Sequence, residues 1–312
     1  MKREMTLESP AKVNLYLAVL GRRDDGYHDI ETLFQTVSLA DTITVRVDDS
    51  GGGKIRVRSS DAGLPADEEN LAGRAARAML DEAARTRGAG APAGAASTGV
   101  ARAGIDIAIE KRIPVGAGLG GGSGDAATVL VALNALLDLH LAAERLEQIG
   151  ATIGSDVPFL VRGGTAIGRG RGETLERCPP LAPVEILLAK PDVSVSTRWA
   201  YETLGAPLTA VQTLSIVGSR RGALEIREVL GSLWNAFEDA VTRRHPIVRE
   251  IRETMVATGA LGVLMTGTGP TVVGLYAEPA QLRETESSLR SRSIWVARAT
   301  PVGERAADPR EV

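Results

Sequence analysis

"IPVGAGLGGGSGDAA", Ile113 to Ala127, packs six glycines into the nine residues from Gly116 to Gly124, and an apolar run follows directly. A glycine loop set immediately before a helix exposes backbone N–H groups beside the positive end of the helix dipole, an arrangement that favours phosphate. Glycine lets the backbone approach a ligand closely and adopt left-handed turns. The run from about Asp125 to Leu139 is apolar nearly all round, which predicts a buried helix. Ser123 and Asp125 are candidate caps for that helix, and Ser123 is also placed to touch phosphate or a metal.

Several readings of the loop compete. A Walker loop requires a Gly-Lys-Ser/Thr that is absent here. A dinucleotide fingerprint matches nominally as Gly116-x-Gly118-x-x-Gly121, with Asp138 about 20 residues on. That acid should end a second strand, however, and Asp138 sits near the end of a helix. A third reading is another nucleoside triphosphate loop that takes its cations from elsewhere in the chain. The fourth is a glycine-rich connection with no ligand.

Bulk properties narrow the class. The chain has 312 residues, enough for about two domains and a sizeable core. Its formal net charge of −3 argues against nucleic acid or an anionic membrane as partner of the whole protein. Cys178 is the only cysteine, so no intrachain disulfide forms, and no Cys/His cluster has zinc spacing. "MKREMTLESPAK" lacks the apolar core of a signal peptide, and no run of about 18 apolar residues spans a membrane. These features predict a cytoplasmic soluble enzyme or binding protein and leave its oligomeric state open.

Hydropathy gives the elements. "VNLYLAVL" (13–20) alternates Val13, Leu15, Leu17 and Val19 on one face, a strand. "RRDDGYH" follows as a turn. "DTITVRV" is a second strand, with "KIRVRS" as its expected hairpin partner across Gly51–Gly53. "NLAGRAARAMLDEAART" predicts a helix with Leu71, Ala75, Ala78 and Met79 on one side. The Gly/Ala-rich stretch near 87–104 reads as a surface insertion before the strand "IDIAIE". "AAERLEQIGATI" is a further helix, and "SVSTRWAYETL" is helical before an irregular segment near 205–222. After the strand "VEILLAK", the last 70 or so residues read helix, strand, turn "TGTGP", strand, helix, strand, with a frayed polar tail "VGERAADPREV". Interleaved hairpins and helices make this α+β. The best division falls near 180, at "CPPLAP", giving domains 1–180 and 181–312.

Three other stretches matter to chemistry. Lys12 opens the first strand in "SPAKVNL", Asp156 stands in "GSDVPF", and "MTGTGPT" (265–271) joins two short strands. Singly these read as a strand-end lysine, a helix N-cap and a hairpin loop. Together, a lysine, an aspartate and two glycine loops are what phosphoryl transfer needs: positioning, charge neutralisation and a carboxylate near the attacking hydroxyl.

Taken in order, "SPAKVNLYL", "PVGAGLGGGSGDAA" and "GVLMTGTGPTVVGLY" resemble the three motifs of the GHMP kinases. "DGYHDIETLFQTVSLADTI", "ENLA" and "GSDVPFLVRGGTAIGRGRGE" resemble the branch that phosphorylates the 2-hydroxyl of a cytidine-diphosphate-linked methylerythritol, on the non-mevalonate route to isoprenoid precursors. The likeness runs from about residue 6 to about 300. It implies a two-domain fold, an N-terminal ATP-binding domain like ribosomal protein S5 domain 2 and a ferredoxin-like C-terminal domain. It implies ATP as phosphoryl donor with Mg²⁺, no dedicated protein metal site, and a small-molecule substrate bearing cytidine diphosphate. A GHMP kinase for another small alcohol and a non-catalytic nucleotide-binding regulator are the alternatives.

The same resemblance implies residue roles. Asp156 matches the catalytic base and Lys12 the lysine paired with it. Asn70, Leu71 and Lys111 match the ATP side, and Pro114, Gly116, Gly118, Leu119, Gly120, Gly121, Gly122 and Ser123 the triphosphate loop. Asn14, Tyr27, His28, Phe34 and Tyr201 match the substrate side, joined by Gly267, Thr268 and Gly269 of the third motif. Gly124 stands where the family commonly has serine, so any phosphate or magnesium duty of that serine is expected to fall to Ser123 or water. Thr266 and Thr268 replace serines of the third motif and keep the hydroxyls.

Overall fold

The structure, a computed structural model, describes residues 2–88, 103–204, 222–306 and 308–311. Most of the insertion near 87–104 and of the irregular segment near 205–222 lies outside the described residues.

Strands β1 (Lys2–Arg22) and β2 (His28–Asp48) form one long antiparallel hairpin, much longer than the alternation at 13–20 and 41–47 implies. The expected turn closes it, with the Tyr27 N–H donating to Asp25 Oδ1 at 3.1 Å. The single-face alternation of β1 does not hold. A register shift between Asn14 and Tyr16 leaves Leu15 as an extra residue. That bulge swaps the faces, so Val13 and Leu15 share a core with Tyr16 and Ala18 while Leu17 and Val19 enter another.

Beside β2 lie β4 (Gly104–Glu110) along its second half and β5 (Thr165–Gly170) along its first. Strand β6 (Thr174–Arg177) pairs with β5, and the short β8 (Trp234–Asn235) runs parallel to β1. The hairpin expected between "DTITVRV" and "KIRVRS" is absent. Strand β3 (Ile55–Ser59) instead pairs parallel with β4, in the order β3-β4-β2-β1-β8. The helix Leu71–Gly88 supplies the crossover that parallel neighbours require. It buries Ala72, Ala75, Ala76, Met79 and Ala83, while Leu71 and Ala78 are only half-buried. With the helix Gly121–Leu136 it packs on Val45, Val47, Ile105 and Ile107 of the sheet.

A second antiparallel sheet has the order β11-β7-β10-β9, built from β7 (Glu185–Lys190), β9 (Gly262–Met265), β10 (Val272–Tyr276) and β11 (Trp295–Ala299). Ile186 and Leu188 share a core with Val13 and Leu33 of the first sheet. Leu187 and Ala189 pack with Ile251 and Met255 of the helix Pro246–Ala257 and with Leu282 and Leu289 of Pro279–Ser291. Burial on both faces explains the unbroken apolar run in "VEILLAK".

Residues 302–305, in the expected frayed tail, are tied down. Val302 N–H donates to Thr36 O at 2.9 Å, Glu304 bridges to Gly163, and Arg305 N–H donates to Arg162 O at 2.8 Å. Glu304 and Arg305 find carbonyls and counter-ions on the first sheet's side of the molecule.

Candidate active site

Lys12 stands at the centre of the site, buried although charged. Its backbone N–H donates to Leu119 O at 2.9 Å, which fixes the first strand against the glycine loop. Its ammonium donates to Asn14 Oδ1 at 2.7 Å and lies 3.3 Å from Asp156 Oδ2. Two residues apart on a strand, Lys12 and Asn14 project to one side. Asn14 is held by its own bonds, Nδ2 to Thr32 Oγ1 at 2.8 Å and the backbone N–H to Thr266 Oγ1 at 2.8 Å. The third motif thus touches the first through the Thr266 hydroxyl, a group that replaces serine without losing the bond.

Asp156 occupies the N-cap position of the helix Val157–Arg162, but its side chain caps nothing. Its carboxylate is partly exposed and turns to Lys12 instead. An aspartate at a helix start normally spends its oxygens on the first free N–H groups; here they remain available to a ligand.

The glycine loop enters the helix Gly121–Leu136 four residues earlier than the hydropathy suggests. Gly120, at φ 70°, is the N-cap, so neither Ser123 nor Asp125 caps it. Asp125 is buried, and its Oδ2 accepts from Lys111 Nζ at 2.9 Å. Lys111 Nζ also donates to Asp41 at 2.5 Å, and Asp41 Oδ1 accepts from the N–H groups of Arg112 and Ile113 at 2.6 and 2.9 Å. Burial and then the two carboxylates act on Lys111, and the carboxylates prevail, holding its pKa above the ordinary value. Burial pushes Asp125 up to about 6, with Lys111 opposing it and Asp41 adding to it. This buried triad anchors the strand end that leads into the loop.

One expectation about the glycines changes. A Cβ on Gly121 would meet Ile113 at 3.1 Å and Lys111 Nζ at 3.3 Å, so that position faces protein. A Cβ on Gly124 would meet Ser9 Oγ at 2.9 Å and Pro10 O at 3.1 Å. A serine at 124 would therefore start out against the first strand. Open space lies over Gly116 and Gly122, where only Leu71 comes within 4 Å, at 3.7 Å from a Cβ on Gly122.

A cleft of about 1070 Å³ runs from this centre. It gathers Lys12, Asn14, Gly118, Gly120, Ser123 and Asp156 near the loop, and Tyr27, His28, Tyr201, Gly267 and Thr268 farther along. Tyr201, on the helix Thr197–Thr203, stacks on His28 with centroids 4.7 Å apart and meets Phe237 edge-on at 4.8 Å. Burial, followed by the nearby Asp156 charge, pushes the Tyr201 hydroxyl up to about 12, so it remains a hydrogen-bond donor at neutral pH. Tyr27 is exposed, with the Arg171 guanidinium 4.7 Å over its ring. Phe34 is fully buried and stacks on Phe159 at 4.7 Å, so it backs the cleft beneath Lys12.

Asn70, Leu71, Lys111, Pro114, Gly116, Leu119, Gly121, Gly122 and Gly269 do not line this cleft. Asn70 caps the helix Leu71–Gly88, accepting from Ala72 N–H at 3.0 Å and donating to Pro65 O at 3.0 Å. Leu119 contributes its carbonyl to Lys12 and its side chain to the core. Sequence reasoning missed Asn235, whose Nδ2 donates to Met265 O at 2.7 Å and Gly267 O at 2.9 Å, holding the third loop in shape. It also missed Thr197, whose hydroxyl lies 3.4 Å from that of Thr268. Both come from segments without motif character, and no local signal marks them.

Comparison with known proteins matches these parts. The model for the GHMP kinases N terminal domain matches residues 70–164, and that for GHMP kinases C terminal matches 220–293. The chain is 41% identical over 299 residues to the 4-diphosphocytidyl-2-C-methyl-D-erythritol kinase of Geobacter metallireducens, covering 94% of this chain and 96% of that one. It is 40% identical to the enzyme of the same name from Syntrophotalea carbinolica, over 92% and 95% of the two chains. A crystal structure of a 4-(cytidine 5'-diphospho)-2C-methyl-D-erythritol kinase superposes with a TM-score of 0.76 at 36% identity, covering 96% of this chain and all (100%) of that one. Homoserine kinase from Cytophaga hutchinsonii shares the fold, with a TM-score of 0.71 at 20% identity over 98% and 97% of the chains. Three motifs meeting at one cleft, both family models and full-length relatives lead to one conclusion: the chain belongs to the GHMP kinases, within the family of 4-diphosphocytidyl-2-C-methyl-D-erythritol kinases.

Proposed function

We propose that this enzyme transfers the γ-phosphoryl group of ATP to the 2-hydroxyl of 4-diphosphocytidyl-2-C-methyl-D-erythritol, with Asp156 as base and Lys12 as its charge partner. The observation that carries the chemistry is the 3.3 Å approach of Lys12 Nζ to an Asp156 carboxylate that caps no helix and opens on the cleft. Asp156 takes the proton of the substrate hydroxyl as its oxygen bonds to phosphorus and the bond to ADP breaks. Lys12 balances the charge that gathers on the transferred group. Backbone N–H groups at the start of the helix Gly121–Leu136 face the phosphates, where the helix dipole adds to their pull.

A Mg²⁺ ion carried by ATP would supply charge neutralisation on the phosphates. Among the described residues, no group of three or more His, Cys, Asp and Glu side chains is arranged to hold a metal ion. The oxygens of Ser123 and Asp156 line the cleft and suit a hard cation already carried by a nucleotide. At the far end, His28, Tyr201 and Tyr27 offer ring faces and polar edges for cytosine.

ADP release measured against a panel of alcohols tests this reading. The cytidine-diphosphate alcohol should be preferred over mevalonate, homoserine and the base-free phosphoalcohol. Equal or better turnover of any of these would make the enzyme a kinase of another substrate.

A further inference from the structure

Arg305 is a charged side chain that the phosphoryl-transfer machinery does not use, yet its surroundings are those of a built site. It lies in the segment after β11, and no acid is paired with it among the described residues. Its guanidinium divides its donors among three elements. Nε donates to Val161 O at 2.9 Å and Nη2 to Leu160 O at 2.7 Å, both at the C-terminal end of the helix that Asp156 begins. Nη1 donates to Thr128 Oγ1 at 3.0 Å, on the glycine-loop helix, and more weakly to Glu8 O at 3.4 Å, four residues before Lys12 on β1. The backbone joins in, Arg305 N–H to Arg162 O at 2.8 Å.

Free carbonyls at a helix end attract a cation, and a planar fork can bond several at fixed angles. Burial lowers this guanidinium to about 10, well above neutrality, so the charge persists. Flanking residues hold the segment in place. Gln35 Nε2 donates to Val302 O at 3.0 Å, and Glu304 lies 3.8 Å from Arg177 Nη1 and 3.9 Å from Arg162 Nε.

We propose that Arg305 is a positioning residue for phosphoryl transfer: it clasps the helix behind Asp156, the glycine-loop helix and the Lys12 strand, and so sets the distance between base, lysine and phosphate loop. This rests on the reading of Asp156 as base. A small displacement of reacting groups lowers rate far more than it lowers affinity.

The test compares single-turnover phosphoryl transfer in Arg305→Met, Asp156→Asn and the double variant, with ATP affinity measured on each folded protein. Arg305→Met should slow transfer by roughly 10- to 100-fold, the scale of small misplacements, while ATP affinity changes less than about threefold. In the Asp156→Asn background the same substitution should cost clearly less, because one of the three groups it positions no longer takes a proton. An equal loss in both backgrounds, or unchanged transfer in the single variant, overturns the positioning role alone. Near-normal transfer by Asp156→Asn overturns the reading of the base and this inference with it. Should Arg305→Met fail to fold, Arg305→Lys and Thr128→Val, which remove parts of the fork's bonding, carry the same comparison.

Discussion

Gly118 and Gly267 meet backbone to backbone. A Cβ on Gly267 would lie 2.9 Å from Gly118 O, and a Cβ on Gly118 would lie 2.6 Å from Thr266 O. The second and third motifs, about 150 residues apart in sequence, are thus parts of one loop assembly. The glycines at this contact serve loop-to-loop packing, whereas Gly122 leaves space for a ligand.

The two kinds of glycine should respond differently to the smallest substitution. Gly122→Ala places its methyl at ordinary distance from Leu71 and otherwise in the open. It should leave folding intact and weaken ATP by about tenfold or more, roughly 1.4 kcal/mol. Gly118→Ala forces a left-handed residue at φ +76° against a carbonyl. It should destabilise the protein by about 1–2 kcal/mol from the backbone alone. Calorimetry of both variants with a non-hydrolysable ATP analogue separates the effects. Unchanged ATP affinity in Gly122→Ala would move the phosphates elsewhere.

Asp156→Asn keeps shape and removes the proton acceptor. Turnover should fall by about 10²-fold or more with ATP affinity retained. Lys12→Met should lose comparable turnover and also release Asn14 from the 2.7 Å bond that holds it. Steady-state kinetics with ATP binding measured separately checks both, and near-normal turnover would return Asp156 to an idle helix start.

His28 is stacked on Tyr201 at 4.7 Å, so the far end of the cleft is already a ring-lined site. His28→Ala should weaken the cytidine substrate by about 1–3 kcal/mol, the cost of an unpaired buried polar group. ATP affinity should hold. Competition between the cytidine compound and its base-free phosphoalcohol reads the change directly, and an unaltered preference would place cytosine recognition elsewhere.

Much of this site was legible because its signals are local. "SPAKVNL", the glycine run and "TGTGP" each carry their own turn and strand chemistry, and Lys12, Asn14, Ser123 and Asp156 do line one cleft. What the letters withhold is pairing at a distance. Ile55 and Val57 alternate as a strand should, but nothing in them says that β4 rather than β2 is the neighbour. The extra residue Leu15, which exchanges two cores along β1, leaves no mark in hydropathy. Gly121 reads as a phosphate-loop glycine in sequence, yet a Cβ there would meet Ile113 and Lys111. Glu304 and Arg305 lie in a stretch that reads as a frayed polar tail, because their partners are main-chain carbonyls and arginines far along the chain.

The buried triad gives a pH signature. The Asp125 titration moves from its ordinary 3.8 to about 6, raised first by burial. A raised carboxyl binds its proton more tightly in the folded state, so its contribution to stability is full below about pH 4 and is lost as pH rises through about 6. Asp125→Asn should remove that component, so that the stability difference between variant and parent changes between pH 4 and pH 6.5. Urea unfolding across that range measures it; a constant difference would mean that Lys111 keeps Asp125 ionised throughout.

The central claim concerns where the phosphoryl group goes. Incubation with ATP and 4-diphosphocytidyl-2-C-methyl-D-erythritol, followed by phosphorus NMR of the product, observes this directly. The account predicts a new phosphomonoester signal with no three-bond coupling to a carbon-bound proton, because the 2-carbon of the erythritol unit carries the methyl group and no hydrogen, together with an intact diphosphate and one ADP for each product. A product phosphorylated at another hydroxyl, or ADP formed with no new phosphomonoester, would contradict it.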